Sequence, residues 1–154
     1  MRFVGKVFKA GKFWAVEIPI LDIATQGRTR KEAYEMIADA VESLVNKEGF
    51  RVRVFKSKGK VFEMGASDQG ALTALLLKRM RQRAGLSLEE VAARLGSKSP
   101  NSYARYEQGR SVPSVEKFAE LFSAVAANRE FVIMESRVPY GRPQARPQNR
   151  SKAA

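Results

Sequence analysis

Three polar side chains, spaced so that they share one face of a short predicted helix, are the residues of this sequence best suited to chemistry. They are Asn101, Arg105 and Gln108. On a helix they would lie opposite Tyr103 and Tyr106, which we expect to point into a core. Arg pairs with the edge of guanine, and Asn or Gln pairs with adenine. The spacing therefore predicts a helix that contacts the edges of DNA bases.

Positive and hydroxyl-bearing side chains flank this predicted helix, as contacts to DNA phosphates require. The set predicted to bind DNA consists of Arg94, Lys98, Ser99, Asn101, Ser102, Arg105, Gln108 and Arg110. By pattern alone, the alternative is an ordinary four-helix bundle whose third helix happens to be polar.

Four short helices are predicted to position these residues. Apolar residues recur at helical spacing over 72–84, and Ser87–Glu90 has the spacing of a capping box. Ser99 is a suitable N-cap for the third helix and Pro100 suits its first turn, while Ser114 opens a fourth helix. A short helix, a glycine-containing turn and a second short helix are typical of a helix-turn-helix.

The first part of the chain predicts a small sheet with one helix. Thr29–Glu32 has capping-box spacing and opens a helix with apolar residues at helical intervals. The predicted strands are 2–9, 13–18, 24–26, 50–56 and 61–64. The predicted fold class is therefore α+β: a small N-terminal antiparallel-sheet domain with one helix, followed by an all-α helix-turn-helix domain.

Composition excludes several classes of function. The chain has 154 residues, a formal net charge of +12, no Cys and no His. Disulfide scaffolds, Cys/His zinc sites, Cys nucleophiles and His-based acid–base catalysis are therefore excluded. Carboxylates could still bind a metal, but they are scattered, so we expect no enzyme activity, no catalytic residues, no metal and no cofactor. The excess positive charge favours a polyanionic partner such as nucleic acid.

Charge and composition also predict the domain boundaries. We expect an N-terminal domain over 1–64, a small polar linker over 65–71, the helical domain over 72–135 and a basic tail over 136–154. The tail has five basic and no acidic residues, so it is either a loose phosphate-binding arm or a solvated terminus without a specific role. No membrane span or signal peptide is apparent, which favours a cytoplasmic location.

Residues 72–126 resemble the Cro/repressor-type (XRE) helix-turn-helix family. The matching runs are GLSLEEVAARLG at 85–96 and YARYEQGRSVPS at 103–114. Two departures are a Leu at position 88, where the family usually has a DNA-contacting Gln, and a turn over 96–100 that is one residue longer than usual. The resemblance implies a repressor that binds a palindromic operator as a dimer.

Residues 1–56 are similar to the N-terminal domain of HicB-type antitoxins. The similarity rests on KFWAVEIP at 12–19, ATQG at 24–27 and TRKEA at 29–33. It implies a partial ribonuclease-H-like fold without catalytic carboxylates, which binds and blocks a HicA-type toxin that cleaves mRNA. On this resemblance the expected toxin-binding residues are Glu17, Leu21 and Asp22, beside the exit of the second strand.

Other interpretations remain open from the sequence. Glu32, Glu35, Asp39 and Glu42 form an acidic stripe on the predicted N-terminal helix, which is either a solvated face or a docking surface for a basic protein. The chain could also be a stand-alone repressor with a ligand-sensing N-terminal domain, an orphan antitoxin without a toxin, or, least favoured, a nuclease. The segment 131–134 is either a strand that pairs between subunits or the end of the core.

Overall fold

The computed structural model describes residues 1–126 and 129–138. Of the predicted basic tail, only the first three positions fall within this range, and the remainder at 139–154 lies outside the described residues. No helix in the described part of the chain is long and apolar enough to cross a membrane.

A five-stranded sheet forms the N-terminal part, in the order β3-β2-β1-β5-β4. Every neighbouring pair of strands is antiparallel. The strands are β1 Phe3–Ala10, β2 Phe13–Ile18, β3 Ile23–Gly27, β4 Val52–Phe55 and β5 Val61–Ala66. A short 3₁₀ turn, Pro19–Leu21, joins β2 to β3. Pro19 cannot donate to a strand ladder, which is consistent with β2 ending at Ile18.

Helix α1, Arg30–Val45, covers one face of the sheet. It begins where the sequence predicts: Thr29 accepts a hydrogen bond from the backbone nitrogen of Glu32, and the Glu32 carboxylate accepts one from the backbone nitrogen of Arg28 at 2.6 Å. The buried side of α1 packs on alternate residues of the strands, because side chains in a strand point to opposite faces. On β1, Phe3 and Val7 are buried while Val4 is exposed.

Four helices form the C-terminal part: α2 Gln69–Arg83, α3 Leu88–Arg94, α4 Asn101–Glu107 and α5 Val115–Val125. Ser87 and Glu90 form the predicted capping box at the start of α3. Ser99 does not cap α4 as expected: Pro100 is the residue before the helix, and no side chain caps this end. The sheet with one helix followed by helices confirms the predicted α+β class.

The linker predicted at 65–71 is much shorter in the structure. Gly65 and Ala66 belong to β5, and α2 begins at Gln69, so only Ser67 and Asp68 lie between the two elements. Both are held in place. Ser67 donates its backbone N–H to Arg51, and the Lys47 ammonium lies 2.6 Å from the Asp68 carboxylate, which keeps the pKa of Asp68 below its usual range. Composition predicts a linker of seven residues here, whereas the structure leaves two residues between the elements and holds both in place.

Helix α2 also contacts the loop between β2 and β3. The Arg79 guanidinium donates to the carbonyls of Leu21 and Asp22 at 2.8 and 2.6 Å, and Arg83 donates to the carbonyl of Pro19 at 3.0 Å. Buried side chains of both parts form one continuous hydrophobic core. The helical part therefore packs directly against the sheet domain.

Candidate DNA-binding surface

Helix α4 is anchored to α2 by a buried tyrosine. Tyr103 has no solvent exposure, and its hydroxyl donates to the carbonyl of Leu77 at 3.1 Å. Burial raises the pKa of Tyr103 well above its usual range, so this side chain stays neutral and serves as a hydrogen-bond donor. Because α4 is only seven residues long, its position depends on such contacts rather than on its own helical stability.

A second anchor is an ion pair between the same two helices. Arg81 on α2 meets Glu107 at the end of α4 in a bidentate arrangement, with Nε–Oε1 and Nη2–Oε2 distances of 2.7 and 3.0 Å. Both side chains are largely buried, and Arg81 also donates to the carbonyl of Leu86 at 2.8 Å. The bond to Glu107 raises the pKa of Arg81, whose charge is therefore secure. The two anchors fix both the tilt and the rotation of α4.

The opposite face of α4 borders an open polar pocket of about 520 Å³. It is lined by Ser99, Asn101, Ser102, Arg105, Gln108, Arg110 and Ser111. These side chains are donors, or both donors and acceptors, and none is a carboxylate. A positive, hydrogen-bonding surface at a short exposed helix is suited to phosphates and base edges.

Arg105 is oriented within this surface without being neutralised by the contacts described. It is exposed, its Nε donates to the Ser111 hydroxyl at 2.9 Å, and its guanidinium lies 5.4 Å from the centre of the Tyr106 ring. The Arg105 carbonyl accepts the backbone N–H of Arg110 at 2.9 Å, which folds the following turn back toward α4. The long side chain is thereby pre-oriented while its charge stays available to DNA.

Six of the eight residues predicted to bind DNA line this pocket, and two do not. Lys98 is exposed beside it. Arg94 is placed elsewhere: its guanidinium donates to the carbonyl of Ala124 at 3.0 Å, at the C-terminal end of α5. A cation there satisfies a free helix carbonyl and the negative end of the helix dipole. Arg94 therefore lies apart from the pocket and caps the end of α5, and its contact with phosphate stays a prediction.

Sequence reasoning missed two parts of this surface. Ser111 lines the pocket and holds Arg105, yet an isolated serine in a loop carries no signal of such a role. The ion pair of Arg81 and Glu107 was also missed, because its members are 26 positions apart and on different helices. Only the packing of α4 on α2 brings them together.

The residues expected to bind a toxin do not share one surface. Leu21 is fully buried, so its side chain cannot contact a partner, and that assignment is wrong. The 3₁₀ turn directs it into the core beneath α2. Glu17 is half-buried on the sheet face away from α1, opposite Lys6 of β1. Asp22 is exposed in a left-handed conformation, and its carbonyl is bound by Arg79.

The acidic stripe on α1 is divided between structural and exposed carboxylates. Glu32 caps the helix, and Glu42 accepts the backbone N–H of Val52 at 2.7 Å, which ties α1 to β4. Glu35 and Asp39 are exposed. Met36 and Leu44 on the same helix are also exposed, at 41% and 46%. The outward surface of α1 therefore combines two exposed carboxylates, of which Glu35 lies 3.7 Å from the Lys31 ammonium, with two large apolar side chains.

Comparison with known proteins identifies the helical region. A family model described as a helix-turn-helix domain matches residues 74–130, which contain the pocket and most of α2 through α5. A search of curated proteins finds no match. The match agrees with the arrangement of α3, the turn and α4, with the polar face of α4 open to solvent. Residues 74–130 are therefore a helix-turn-helix domain, which implies DNA binding and a place in the regulation of transcription.

Proposed function

We propose that this chain is a HicB-type antitoxin that represses its own operon through the helix-turn-helix domain and neutralises a HicA-type toxin through the N-terminal sheet and helix. In this proposal the chain is not an enzyme. Both roles need only complementary surfaces, one for DNA and one for a protein. The observation that carries the proposal is the carboxylate-free pocket along α4, and the sequence of the N-terminal part resembles the toxin-binding half of this family.

Repression is supported by the geometry of α4. Asn101, Arg105 and Gln108 project from the face opposite Tyr103, which is buried against α2. An arginine that pairs with two acceptors of guanine contributes about 1–3 kcal/mol of discrimination. Such a helix inserted in the major groove would contact bases while the surrounding serines and Arg110 contact phosphates.

Toxin binding is supported by the outward surface of α1. Glu35 and Asp39 offer negative charge, and Met36 and Leu44 offer apolar area that water solvates poorly. An RNA-cleaving toxin needs a positive surface to bind its substrate, so an acidic and apolar helix would complement and cover that surface. We place the toxin here rather than at Leu21, which is buried.

The test of toxin binding is co-expression with the product of the neighbouring gene. We expect the wild-type chain to retain that product on a column and to rescue growth when it is expressed. The double substitution Glu35→Lys with Asp39→Lys should abolish both effects. The matched control, Glu116→Lys with Glu120→Lys on α5, makes the same change in charge at exposed sites and should leave both intact.

A second variant separates the two functions. Arg105→Ala should weaken operator binding by about 1–3 kcal/mol. The melting temperature should be unchanged because Arg105 is exposed, and toxin rescue should be unchanged because the proposed toxin surface lies on α1 and not on α4. Tyr103→Ala is the contrasting variant: it removes a fully buried ring and should lose DNA binding through unfolding. If the chain binds its operator but never retains the neighbouring product, it is a stand-alone repressor and the antitoxin proposal fails.

A further inference from the structure

Three segments that are far apart in the sequence bring basic side chains to one end of the sheet, which we call the basic end. The segments are 9–14 at the β1–β2 hairpin, 28–31 at the start of α1 and 56–60 between β4 and β5. They carry no acidic residue and eight basic ones: Lys9, Lys12, Arg28, Arg30, Lys31, Lys56, Lys58 and Lys60. All of these except the half-buried Arg30 are exposed. No spacing along the chain reveals this cluster, because the segments meet only in the fold.

Contacts between the three segments make the basic end one continuous surface. Arg30 donates to the carbonyl of Ser57 at 3.3 Å and also to the carbonyl of Gly59. The Arg30 guanidinium lies 5.7 Å from the centre of the Trp14 ring, and the Lys9 ammonium lies 5.4 Å from the same ring. Arg30 therefore holds the hairpin and the loop between β4 and β5 beside the start of α1.

The positive charge of the basic end is only slightly offset by carboxylates. The described contacts of Arg30 are to carbonyls, a hydroxyl and aromatic rings, which carry no charge. Two carboxylates follow on α1: Glu32 accepts the backbone N–H of Arg28, and Glu35 lies 3.7 Å from the Lys31 ammonium. An exposed pair of this kind contributes little, and the positive end of the α1 dipole lies at the same place. The surface is therefore suited to a polyanion.

Aromatic rings lie among these cations. Trp14 is half-buried with Lys9 and Arg30 beside its ring, and Phe13 is 41% exposed. Proteins bind single strands of nucleic acid with cations that hold the phosphates and rings that stack on the bases. From Trp14 on β2 to Lys56 after β4 the sheet crosses three strand spacings, or about 14 Å. At about 3.4 Å per nucleotide, this distance accommodates about four nucleotides.

We propose that the basic end binds single-stranded nucleic acid, with its cations on the phosphates and Trp14 against a base. A single strand fits better than an acidic protein, because only a strand supplies both phosphates and stacking bases. The site is separate from the pocket along α4. Helix α2, which anchors α4, contacts the turn Pro19–Leu21, and this turn follows the other end of β2 from Trp14. The chain would thus have one surface for duplex operator and another for a single strand.

The first test uses Trp14 as a probe, since it is the only tryptophan of the chain. A single-stranded RNA of about a dozen uridines, and the thymidine DNA of equal length, are titrated into the full chain. Both should quench the Trp14 fluorescence, and the strand with the tighter binding constant identifies the source of the ligand. Polyglutamate, which has the charge of an acidic protein but no bases, should quench much less. Unchanged fluorescence with both strands, or equal quenching by polyglutamate, would overturn the proposal.

The second test removes two charges from the basic end. Lys58→Gln with Lys60→Gln is compared with Lys6→Gln with Arg53→Gln, which removes two exposed charges from the outer face of the same sheet. If about four phosphates are neutralised, the logarithm of the affinity for the single strand should fall against the logarithm of the salt concentration with a slope of about −3. The control should keep this slope, and the variant should have a slope of about −1.5. At about 0.1 M salt the variant should bind about 25-fold more weakly, because each lost phosphate contact is worth about a factor of 5 there.

A third variant separates this site from the proposed operator surface. Arg105→Ala lies on α4 and should leave the quenching of Trp14 by the single strand unchanged. All the substituted side chains are exposed except where they are named as controls of the other surface, so thermal melting should match the wild type throughout. Loss of strand binding in Arg105→Ala, or equal affinity of the Lys58 and Lys60 variant and its control, would refute a site at the basic end. Operator binding and toxin rescue are measured separately, so their failure is distinguishable from the failure of this proposal.

Discussion

Removal of Glu107 should show how strongly helix α4, which we propose contacts DNA, depends on the ion pair of Glu107 with Arg81. In Glu107→Ala the Arg81 guanidinium keeps its bond to the carbonyl of Leu86 but loses two charge-assisted bonds at 2.7 and 3.0 Å. Breaking a buried pair by removal of one partner costs about 3–5 kcal/mol, because the other charge remains buried. Arg81 keeps some access to water, with 16% of its side chain exposed, so we take the lower end, about 3 kcal/mol.

For a chain of this length, about 3 kcal/mol corresponds to a fall in melting temperature of roughly 6–12 °C. Thermal melting followed by circular dichroism measures this fall directly. Operator affinity should fall as well, because α4 has seven residues and cannot hold its orientation alone. Glu116→Ala, at an exposed position of α5, is the control and should change the melting temperature little.

A double substitution distinguishes the ion pair from the loss of packing alone. Arg81→Met with Glu107→Leu replaces both charges with apolar groups of similar size, so no charge is left buried without its partner. It should be more stable than Glu107→Ala and lie within about 1–2 kcal/mol of the wild type, since beyond the pair itself it loses the bond to the Leu86 carbonyl and the contact of Glu107 with the Tyr103 hydroxyl, which keeps its bond to Leu77. If Glu107→Ala melts like the wild type, or the double variant is the less stable of the two, the argument from buried charge is refuted.

Three further predictions concern the sheet and the basic tail. Glu63→Gln should make the free energy of unfolding less sensitive to acid. Burial opposes ionisation of Glu63, but its hydrogen bonds keep its pKa low, so the stabilisation is present at neutral pH and is lost as the pH falls below about 4.3. Equal acid sensitivity of the variant and the wild type would contradict this. Gly27→Ala should lower the midpoint of urea unfolding, since an added Cβ would lie 2.4 Å from the backbone nitrogen of Ala33, whereas Gly59→Ala, with no atom nearer than 3.8 Å, should not. If about four to six phosphates are neutralised, the logarithm of the affinity for operator DNA should fall against the logarithm of the salt concentration with a slope of roughly −4 to −5 per subunit. Deletion of 139–154 should make this slope shallower without changing sequence preference. An unchanged slope would contradict a role of the tail in DNA binding.

Local sequence patterns were enough to predict most of the helices and strands and the polar face of α4 that we propose contacts DNA. The caps at Thr29 and Ser87 and the opposition of Tyr103 to Arg105 depend on residues within one or two helical turns of each other. Such local periodicity follows from helical geometry, so it can be inferred without knowledge of the rest of the fold. The order of strands and helices, and with it the fold class, followed from the same local signals.

Which side chains are already held by other parts of the chain could be learned only from the packing of the helices and the sheet. From the sequence, Arg94 and Arg110 are equally suited to bind phosphate. In the structure, the Arg94 guanidinium donates to the carbonyl of Ala124 near the end of α5. Leu21 follows a predicted strand, so we expected it to be exposed in a loop. Arg79 of α2, which is 58 positions away, donates to the Leu21 carbonyl and holds the loop against α2, and the Leu21 side chain is buried. The buried cluster of Arg2 and Glu63 with the segment after α5 likewise joins residues from the two ends of the described chain. These pairings arise because packing of the apolar faces brings distant residues together, and no spacing along the sequence encodes that proximity.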